Sequence, residues 1–533
     1  MDRIIRTCSL IALAAVLFPA ATTAKRIEPS AFGAYMRGRI ADKAFDGETA
    51  VKSYSTALSL ASNDVLVAFR AYRAGVDAGD YPLALRAART LQQADILPPD
   101  ARVLLYIGAV RDRNWNEARV LLDRIGKEDG FTFLAPLFDG WLSLATGKVA
   151  TSDKIRAFAY VPESAALLAI ARGDYAAGKL AVEGILGADT YRNSTLHLAA
   201  AATLASRKQD ALALALLKGD DPSVVAARYM ITTGGKMAGA VDSPARGTSF
   251  ILQRMALDLM TERSARSAVT LARFATFADP ESVQARLVAA ATLNFADRHT
   301  DALRLVDTAT SDPILADVAI STRIDLLEDL GRTDEAYALA AARAGRSTND
   351  LTRLGDIEAR RGNFAKAATH YRRAVETLGD KNVGAQLWLA LGNVLDQGGD
   401  WKNARPALER ALTLSPDDPR LLNQLGFGMA DRGEDLDRAL VLLKKASAAQ
   451  PENAAITDSI GWAHFRAGNL DTAIETLERA RGLDPAEVEI TEHLGDAYWA
   501  AGRRIEARYA WIAAREAAKE PVITRLNGKL EQR

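Results

Sequence analysis

The sequence predicts an all-α solenoid, a right-handed superhelix of antiparallel helix pairs, and two observations carry that expectation. First, Gly355, Gly392, Gly426, Gly461 and Gly495 recur at spacings of 37, 34, 35 and 34 residues, each within one frame of small and large apolar residues. Second, the small residue that opens the second helix of the frame keeps a step of 34 far upstream, from Ala50 to Ala84 and Ala118. A period of this length, enough for two helices, belongs to arrays in which each unit packs on its neighbours.

The frame that starts at Ala385 shows why each residue type stands where it does. Trp388, Leu391 and Leu395, at positions four, seven and eleven, form an apolar stripe, so the first half is an amphipathic helix. Gly399 and Asp400 mark the turn, and a second helix is expected from about Asn403 to Leu414. Gly392, Ala404 and Ala411, at positions eight, twenty and twenty-seven, are small because helix axes roughly 8–10 Å apart leave no space for long side chains. Pro416, at position thirty-two, ends the second helix, since proline lacks the donor and clashes with the preceding turn.

Downstream, Leu422, Leu425, Gly426, Ala439, Leu443 and Pro451 repeat the frame, with one extra residue in the turn Gly433-Glu434-Asp435. Ile460, Gly461, Gly468, Ala473, Leu477 and Pro485 form the next copy, and Leu494, Gly495, Tyr498, Gly502, Ala507, Trp511 and Ala514 the last. Leu354, Gly355, Gly362, Ala367 and Tyr371 fit upstream. These copies resemble the tetratricopeptide repeat, which implies a scaffold that holds other proteins. The N-terminal half is degenerate. From Ala118 the step reaches Ser152, loosens through Gly178 and Ala211, and returns at Ala268, Ala302 and Ala336.

Ala211 and Ala268 stand 57 positions apart, 23 more than one repeat. Gly234, Gly235, Gly239, Pro244 and Gly247 fall in this interval, a density of breakers that ends helices. Residues 219–249 therefore read as a surface loop, a hinge or a partner-binding loop. The expected organisation is a signal peptide at 1–24, degenerate repeats at 25–218, that insertion, and degenerate repeats at 250–345. Well-formed repeats follow at 346–516, with a capping segment at 517–533.

Arg3 and Arg6 precede the apolar run Cys8 to Ala21, and Thr22-Thr23-Ala24 follows it, the layout of a secretory signal peptide cleaved before Lys25. The run spans 14 residues, short of the ~20 a membrane-spanning helix needs, and no later stretch reads as a span. Cys8 is the single cysteine, so the mature chain is expected to form no disulfide. Without residues 1–24 the chain carries 65 basic and 66 acidic residues, a balance that points away from nucleic acid.

No catalytic constellation, cofactor motif or metal-ligand spacing is legible. His197, His299, His370, His464 and His493 are spread over separate repeats, and no nucleophile elbow or phosphate loop occurs. The chain is expected not to be an enzyme and to use no cofactor or metal. A ligand is expected instead on the face opposite the core stripe, where positions five, nine and twelve of each first helix lie together. These positions read Leu389, Asn393 and Asp396; Asn423, Phe427 and Ala430; Asp458, Trp462 and Phe465; and Glu492, Asp496 and Trp499. With Arg466 beside them, they suit extended peptide, because rings supply area while amides and carboxylates fix the backbone. The same aromatics can instead pack between neighbouring repeats.

Three stretches carry a narrower resemblance: Leu422-Asn423-Gln424-Leu425-Gly426-Phe427, Asp458-Ser459-Ile460-Gly461-Trp462-Ala463-His464-Phe465-Arg466, and His493-Leu494-Gly495-Asp496-Ala497-Tyr498-Trp499. They resemble the C-terminal block of a family of bacterial envelope repeat proteins. Ser243-Pro244-Ala245-Arg246-Gly247 resembles a mid-chain element of the same family. Some members are periplasm-facing adaptors of carboxy-terminal-processing proteases and deliver peptidoglycan hydrolases for degradation. The resemblance implies a periplasmic adaptor of a Gram-negative envelope, with such a protease and its cell-wall hydrolase substrates as partners. The alternative is an assembly or export factor for a cell-envelope or polysaccharide machine. Those adaptors are lipoproteins, whereas Cys8 opens the apolar run here instead of closing it.

Overall fold

The structure is a computed structural model that describes residues 30–44, 46–127, 131–147, 160–185, 190–219, 221–345, 347–379 and 382–531. The expected signal peptide and Ser152 lie outside the described residues. Those residues form 29 α-helices and no strand, and the chain divides into two compact units between Leu326 and Leu327.

The first unit opens with α1 (Ala31–Lys43), α2 (Gly47–Leu60), α3 (Val65–Ala78), α4 (Tyr81–Gln93), α5 (Pro99–Arg111) and α6 (Trp115–Ile125). It continues with α7 (Leu134–Thr146), α8 (Tyr160–Arg172), α9 (Tyr175–Gly184), α10 (Thr190–Ser206), α11 (Asp210–Leu216) and α12 (Pro222–Thr232). Then come α13 (Pro244–Thr261), α14 (Ala265–Ala278), α15 (Val283–Phe295), α16 (His299–Asp307) and α17 (Ala316–Asp329), the last crossing the division. The second unit holds α18 (Thr333–Ala341), α19 (Thr348–Arg360), α20 (Phe364–Leu378), α21 (Ala385–Gln397), α22 (Trp401–Leu414) and α23 (Pro419–Asp431). It ends with α24 (Leu436–Ala449), α25 (Ala454–Arg466), α26 (Leu470–Leu483), α27 (Val488–Ala500), α28 (Arg504–Ala517) and α29 (Val522–Leu530).

In the second unit the repeat frame is a packing rule. A Cβ at Gly355, Gly392, Gly426 or Gly461 would approach Tyr371, Leu408, Leu443 or Leu477 to 2.6, 2.6, 2.8 and 2.6 Å, and one at Gly495 would meet Trp511. Position eight is therefore empty because the large residue near position twenty-four of the following helix fills it. The turn between the two helices needs a left-handed residue, supplied by Gly399 at φ 79° and by Gly362, Gly433, Gly468 and Gly502 in its sister repeats. The second helix of the Ala385 repeat starts at Trp401 rather than near Asn403. Trp401 is already buried, its ring seated where a Cβ on Gly428 would lie.

In the first unit Ala50, Ala84, Ala118, Ala268 and Ala302 are all buried, as the step of 34 requires, whereas Ala211 is exposed and Ala213 takes the buried place. Ala336, in the second unit, is buried as well. Residues 219–249 are not a structureless loop. Pro222 suits the first turn of α12, Asp221 caps it through the Ser223 N–H, and α13 begins at Pro244. Between α12 and α13 the chain is irregular.

The motif Ser243-Pro244-Ala245-Arg246-Gly247 explains the start of α13. Ser243 accepts the Arg246 N–H as N-cap, and Gly247 leaves room for the Trp141 ring, which a Cβ would penetrate. From Gly247 to Ala256 every residue of α13 is buried, against α5, α7, α8, α14 and α15. Distant segments are tied together by arginines on helix C-termini, where carbonyls are unpaired. Arg273 and Arg298 donate to the Asp77 carbonyl at the end of α3, at 3.4 and 3.2 Å, and Arg111 donates to the Phe277 carbonyl at 2.9 Å.

Candidate functional site

The face read from positions five, nine and twelve exists in the second unit, and the structure uses most of it to join successive first helices. Asp458, 5% exposed, accepts from His493 Nδ1 of the next first helix at 2.9 Å. The His493 ring stacks on Trp462 with centroids 4.1 Å apart, and Trp462 stacks on Phe465 at 4.8 Å. Trp462 Nε1 donates to Asp431 at 3.0 Å, Arg466 donates to the Asp431 carbonyl, and Phe427 lies 6.4 Å from the His493 ring. His493 thus pairs with Asp458 and an indole.

Further along, Glu492 is buried and accepts both Arg525 nitrogens at 2.9 and 2.7 Å, while Asp496 accepts Lys529 Nζ at 2.6 Å and Trp511 Nε1 at 3.0 Å. Trp499 packs on Trp511 at 5.2 Å and carries the Arg504 guanidinium 3.7 Å over its ring. Asp396 accepts from Gln424 of α23 and from Arg432 just beyond its end. Leu389 packs with the apolar cluster of these repeats and Ala430 is fully buried. Sequence reasoning missed Arg525 and Lys529. The signal was present, since α29 starts 34 residues after α27, in register as another first helix.

Two members of the face are not used in this way. Asn393 and Asn423, on α21 and α23, are half-buried, and each has a buried side-chain oxygen without a hydrogen-bond partner among the described residues. A buried amide oxygen left unpaired costs roughly 1–3 kcal/mol, so these two, on adjacent first helices, can each accept from a donor outside the array.

The tetratricopeptide repeat family model matches residues 352–419, 430–487 and 459–521, the stretch that carries this face. The second unit carries tetratricopeptide repeats. A tetratricopeptide-repeat-containing protein of Pseudomonas aeruginosa is 29% identical over 145 residues, which cover 27% of this chain and 25% of that protein. The chain therefore spans about a quarter of that relative's length. Among solved structures, a MamA fragment from Desulfovibrio magneticus RS-1 is 21% identical over 33% of this chain and 96% of its own, with a TM-score of 0.28. A MamA AMB-1 chain is 25% identical over 31% of this chain and 96% of its own, with a TM-score of 0.27. Such tetratricopeptide arrays suit protein–protein scaffolding, and among the described residues no helix is long and apolar enough to cross a membrane.

The His493–Asp458 pair gives these repeats a group whose folding contribution depends on pH. Burial disfavours the imidazolium, but the hydrogen bond and charge of Asp458, aided by Glu489 and Asp496, outweigh it and raise the His493 pKa above its ordinary value. A group raised in the folded state stabilises fully below its unfolded pKa, about 6.5, and that contribution is lost as pH rises through the folded value. Burial lowers the pKa of His370 and His464 in the same repeats, which favours the higher pH, so we expect the contribution of His493 in the comparison: between pH 5.5 and pH 8.5 the wild type should lose stability relative to His493→Gln. Thermal melts followed by helicity at both pH values check it. An unchanged slope in the variant would remove His493 from the account.

Proposed function

We propose that this chain is an exported, non-enzymatic scaffold of a Gram-negative envelope. It holds protein partners on the first-helix face of its tetratricopeptide repeats and presents a substrate to a carboxy-terminal-processing protease. The observation that carries the binding role is the pair of unpartnered, buried amide oxygens on Asn393 and Asn423. A side-chain amide offers both a donor and an acceptor, which match the main chain of an extended peptide. The periplasmic setting rests on the charged and apolar N-terminal layout, and the protease on the resemblance of the C-terminal motifs.

The test uses the amides, because removing them breaks no hydrogen bond inside the array, whereas truncating Trp462 would dismantle the stack with His493. The mature chain, immobilised and exposed to envelope extract, is expected to retain the protease together with a cell-wall hydrolase. The Asn393→Ala/Asn423→Ala variant should melt like the wild type and bind that hydrolase at least about tenfold more weakly, the scale of two lost buried hydrogen bonds. Equal retention by the double variant would place the partner elsewhere, and retention without any protease would remove the adaptor role.

A further inference from the structure

Gly38 and Ala50 stand at positions eight and twenty of the repeat frame, so α1 is the first helix of the first described repeat. Its inner face is used in full. Ala34, Tyr35, Gly38 and Ala41 are buried, and the Tyr54 ring of α2 lies 2.7 Å from where a Cβ on Gly38 would stand. The opposite face has no such cover. Phe32, Met36 and Ile40, spaced by four, are 74%, 42% and 66% exposed, a continuous apolar ridge along one side of the helix.

The repeats of the second unit show what this side ordinarily meets. Phe32, Met36 and Ile40 hold positions two, six and ten, and in α23 and α27 positions ten and six look back at the preceding repeat. Gly428 takes the Trp401 ring of α22, and His493 reaches Asp458 of α25. No described repeat precedes α1, so its ridge lies at an open end of the array, where the outer face is ordinarily polar. Nor is the ridge shaped for a further repeat. Position ten is Gly428, Ala463 and Ala497 in α23, α25 and α27, all small and buried, whereas α1 carries isoleucine there. With cleavage before Lys25, residues 25–29 lead into this repeat, and among them Ile27 is the single large apolar residue to set against three on the ridge.

Charge decides what covers it. The helix carries Arg37, Arg39 and Lys43 against Asp42. At about 100° per residue, Lys43 falls on the ridge side and Arg37 and Arg39 on its two borders, while Asp42 turns away and accepts from the Tyr54 hydroxyl. On α2, Asp46 caps the helix through the Thr49 N–H, and Glu48 and Lys52 offset each other. A second copy packed ridge to ridge about Met36 would set Arg37 and Arg39 of both copies side by side, like charge on like. An apolar ridge with basic borders is the form of an interfacial helix. Such a helix sinks its apolar side chains about 5–10 Å into a bilayer surface while Lys and Arg meet anionic headgroups. A lipid plane also takes a protruding ridge without a matching groove.

We propose that α1 docks this chain on an anionic lipid surface. Phe32, Met36 and Ile40 enter the acyl boundary, and Arg37, Arg39 and Lys43 meet the headgroup phosphates. The proposal concerns where the chain sits and stands independently of the Asn393 and Asn423 face.

Flotation of the full mature chain with vesicles tests it. Binding is expected to phosphatidylethanolamine vesicles containing phosphatidylglycerol, and to be at least about tenfold weaker to phosphatidylcholine vesicles, where the headgroup charge is absent. Phe32→Glu/Ile40→Glu should melt like the wild type, since both side chains are exposed, and bind at least about tenfold more weakly. Arg37→Gln/Lys43→Gln should lose about fivefold for each charge removed. Met36→Cys supplies the single cysteine of the mature chain, and a fluorophore there should be shielded from a water-soluble quencher when the glycerol-lipid vesicles are added. The same label on Val441→Cys, an exposed residue of α24, should stay open to the quencher. Absence of flotation, equal binding to phosphatidylcholine, or a Met36→Cys label that remains in water on floated chain would overturn the proposal. So would a dimer, or a captured protein, that Phe32→Glu/Ile40→Glu abolishes while vesicles bind neither chain, since the ridge would then belong to that occupant.

Discussion

Trp141→Ala should cost the first unit about 3–5 kcal/mol, the range for truncating a buried aromatic in a packed core. Trp141 has no exposed surface, its Nε1 donates to the Ser164 hydroxyl at 2.9 Å, and its ring lies against the α13 backbone at Gly247. On the α13 side no side chain can fill the void, because the residue across from the ring is Gly247. Ser164, 4% exposed, would also lose its partner. Denaturant unfolding combined with hydrogen exchange on the full chain checks the result. Protection should fall across Leu134–Thr146 and Pro244–Thr261 while Thr348–Ala517 keeps its own. A loss below about 1 kcal/mol would mean that Trp141 is a filler rather than the seat of α13.

Glu163→Ala should be of similar size, about 3–5 kcal/mol, for an electrostatic reason. Glu163, 2% exposed, accepts from Arg192 Nε at 2.6 Å and forms an ion pair with Arg254, whose Nε lies 2.8 Å from its other oxygen. Arg192 keeps Asp258 as a second carboxylate at 2.6 Å, whereas the other contacts of Arg254, 3% exposed, include the Thr195 hydroxyl, the Arg192 carbonyl and the Phe250 ring, none of them a charge. Removing the carboxylate takes the opposite charge away from a buried guanidinium. The Glu163→Met/Arg254→Met double variant should recover most of the loss, since exchanging a buried pair for apolar side chains is often neutral. Chemical denaturation of the three variants gives the coupling. If the double variant is as damaged as the sum of the singles, Glu163 acts through something other than Arg254.

The repeats of the second unit were legible because their rule is local. Gly392 and Leu408, or Gly461 and Leu477, meet within one helix pair, so a single period exposes both partners. The first unit obeys a different rule. Its ties join residues far apart in the chain, such as Arg273 and Asp77 or Trp141 and Gly247, and no periodicity announces them. The same distinction divides the candidate face. Spacing placed Asp458, Trp462, Asp496 and Trp499 on one side of their helices, but not whether that side looks outward. Their partners lie on other helices: His493 and Lys529 on the next first helix, Asp431 on the previous one and Arg504 on the following second helix, and the α29 segment reads in sequence only as a cap. Asn393 and Asn423 stand out only by lacking such partners, a property visible in three dimensions alone.

The ion pairs between α27 and α29 restrict how such an array can lengthen over evolutionary time. Arg525 and Lys529 occupy the fourth and eighth positions of α29, where α27 carries Thr491 and Gly495 and α25 carries Thr457 and Gly461. A helix pair duplicated between α28 and α29 would turn Thr491 and Gly495 toward the original Glu492 and Asp496, leaving both carboxylates without their cations. A pair duplicated among the earlier repeats meets no such mismatch at these positions. Growth is thus steered to the interior of the second unit, and its last step is inherited unchanged.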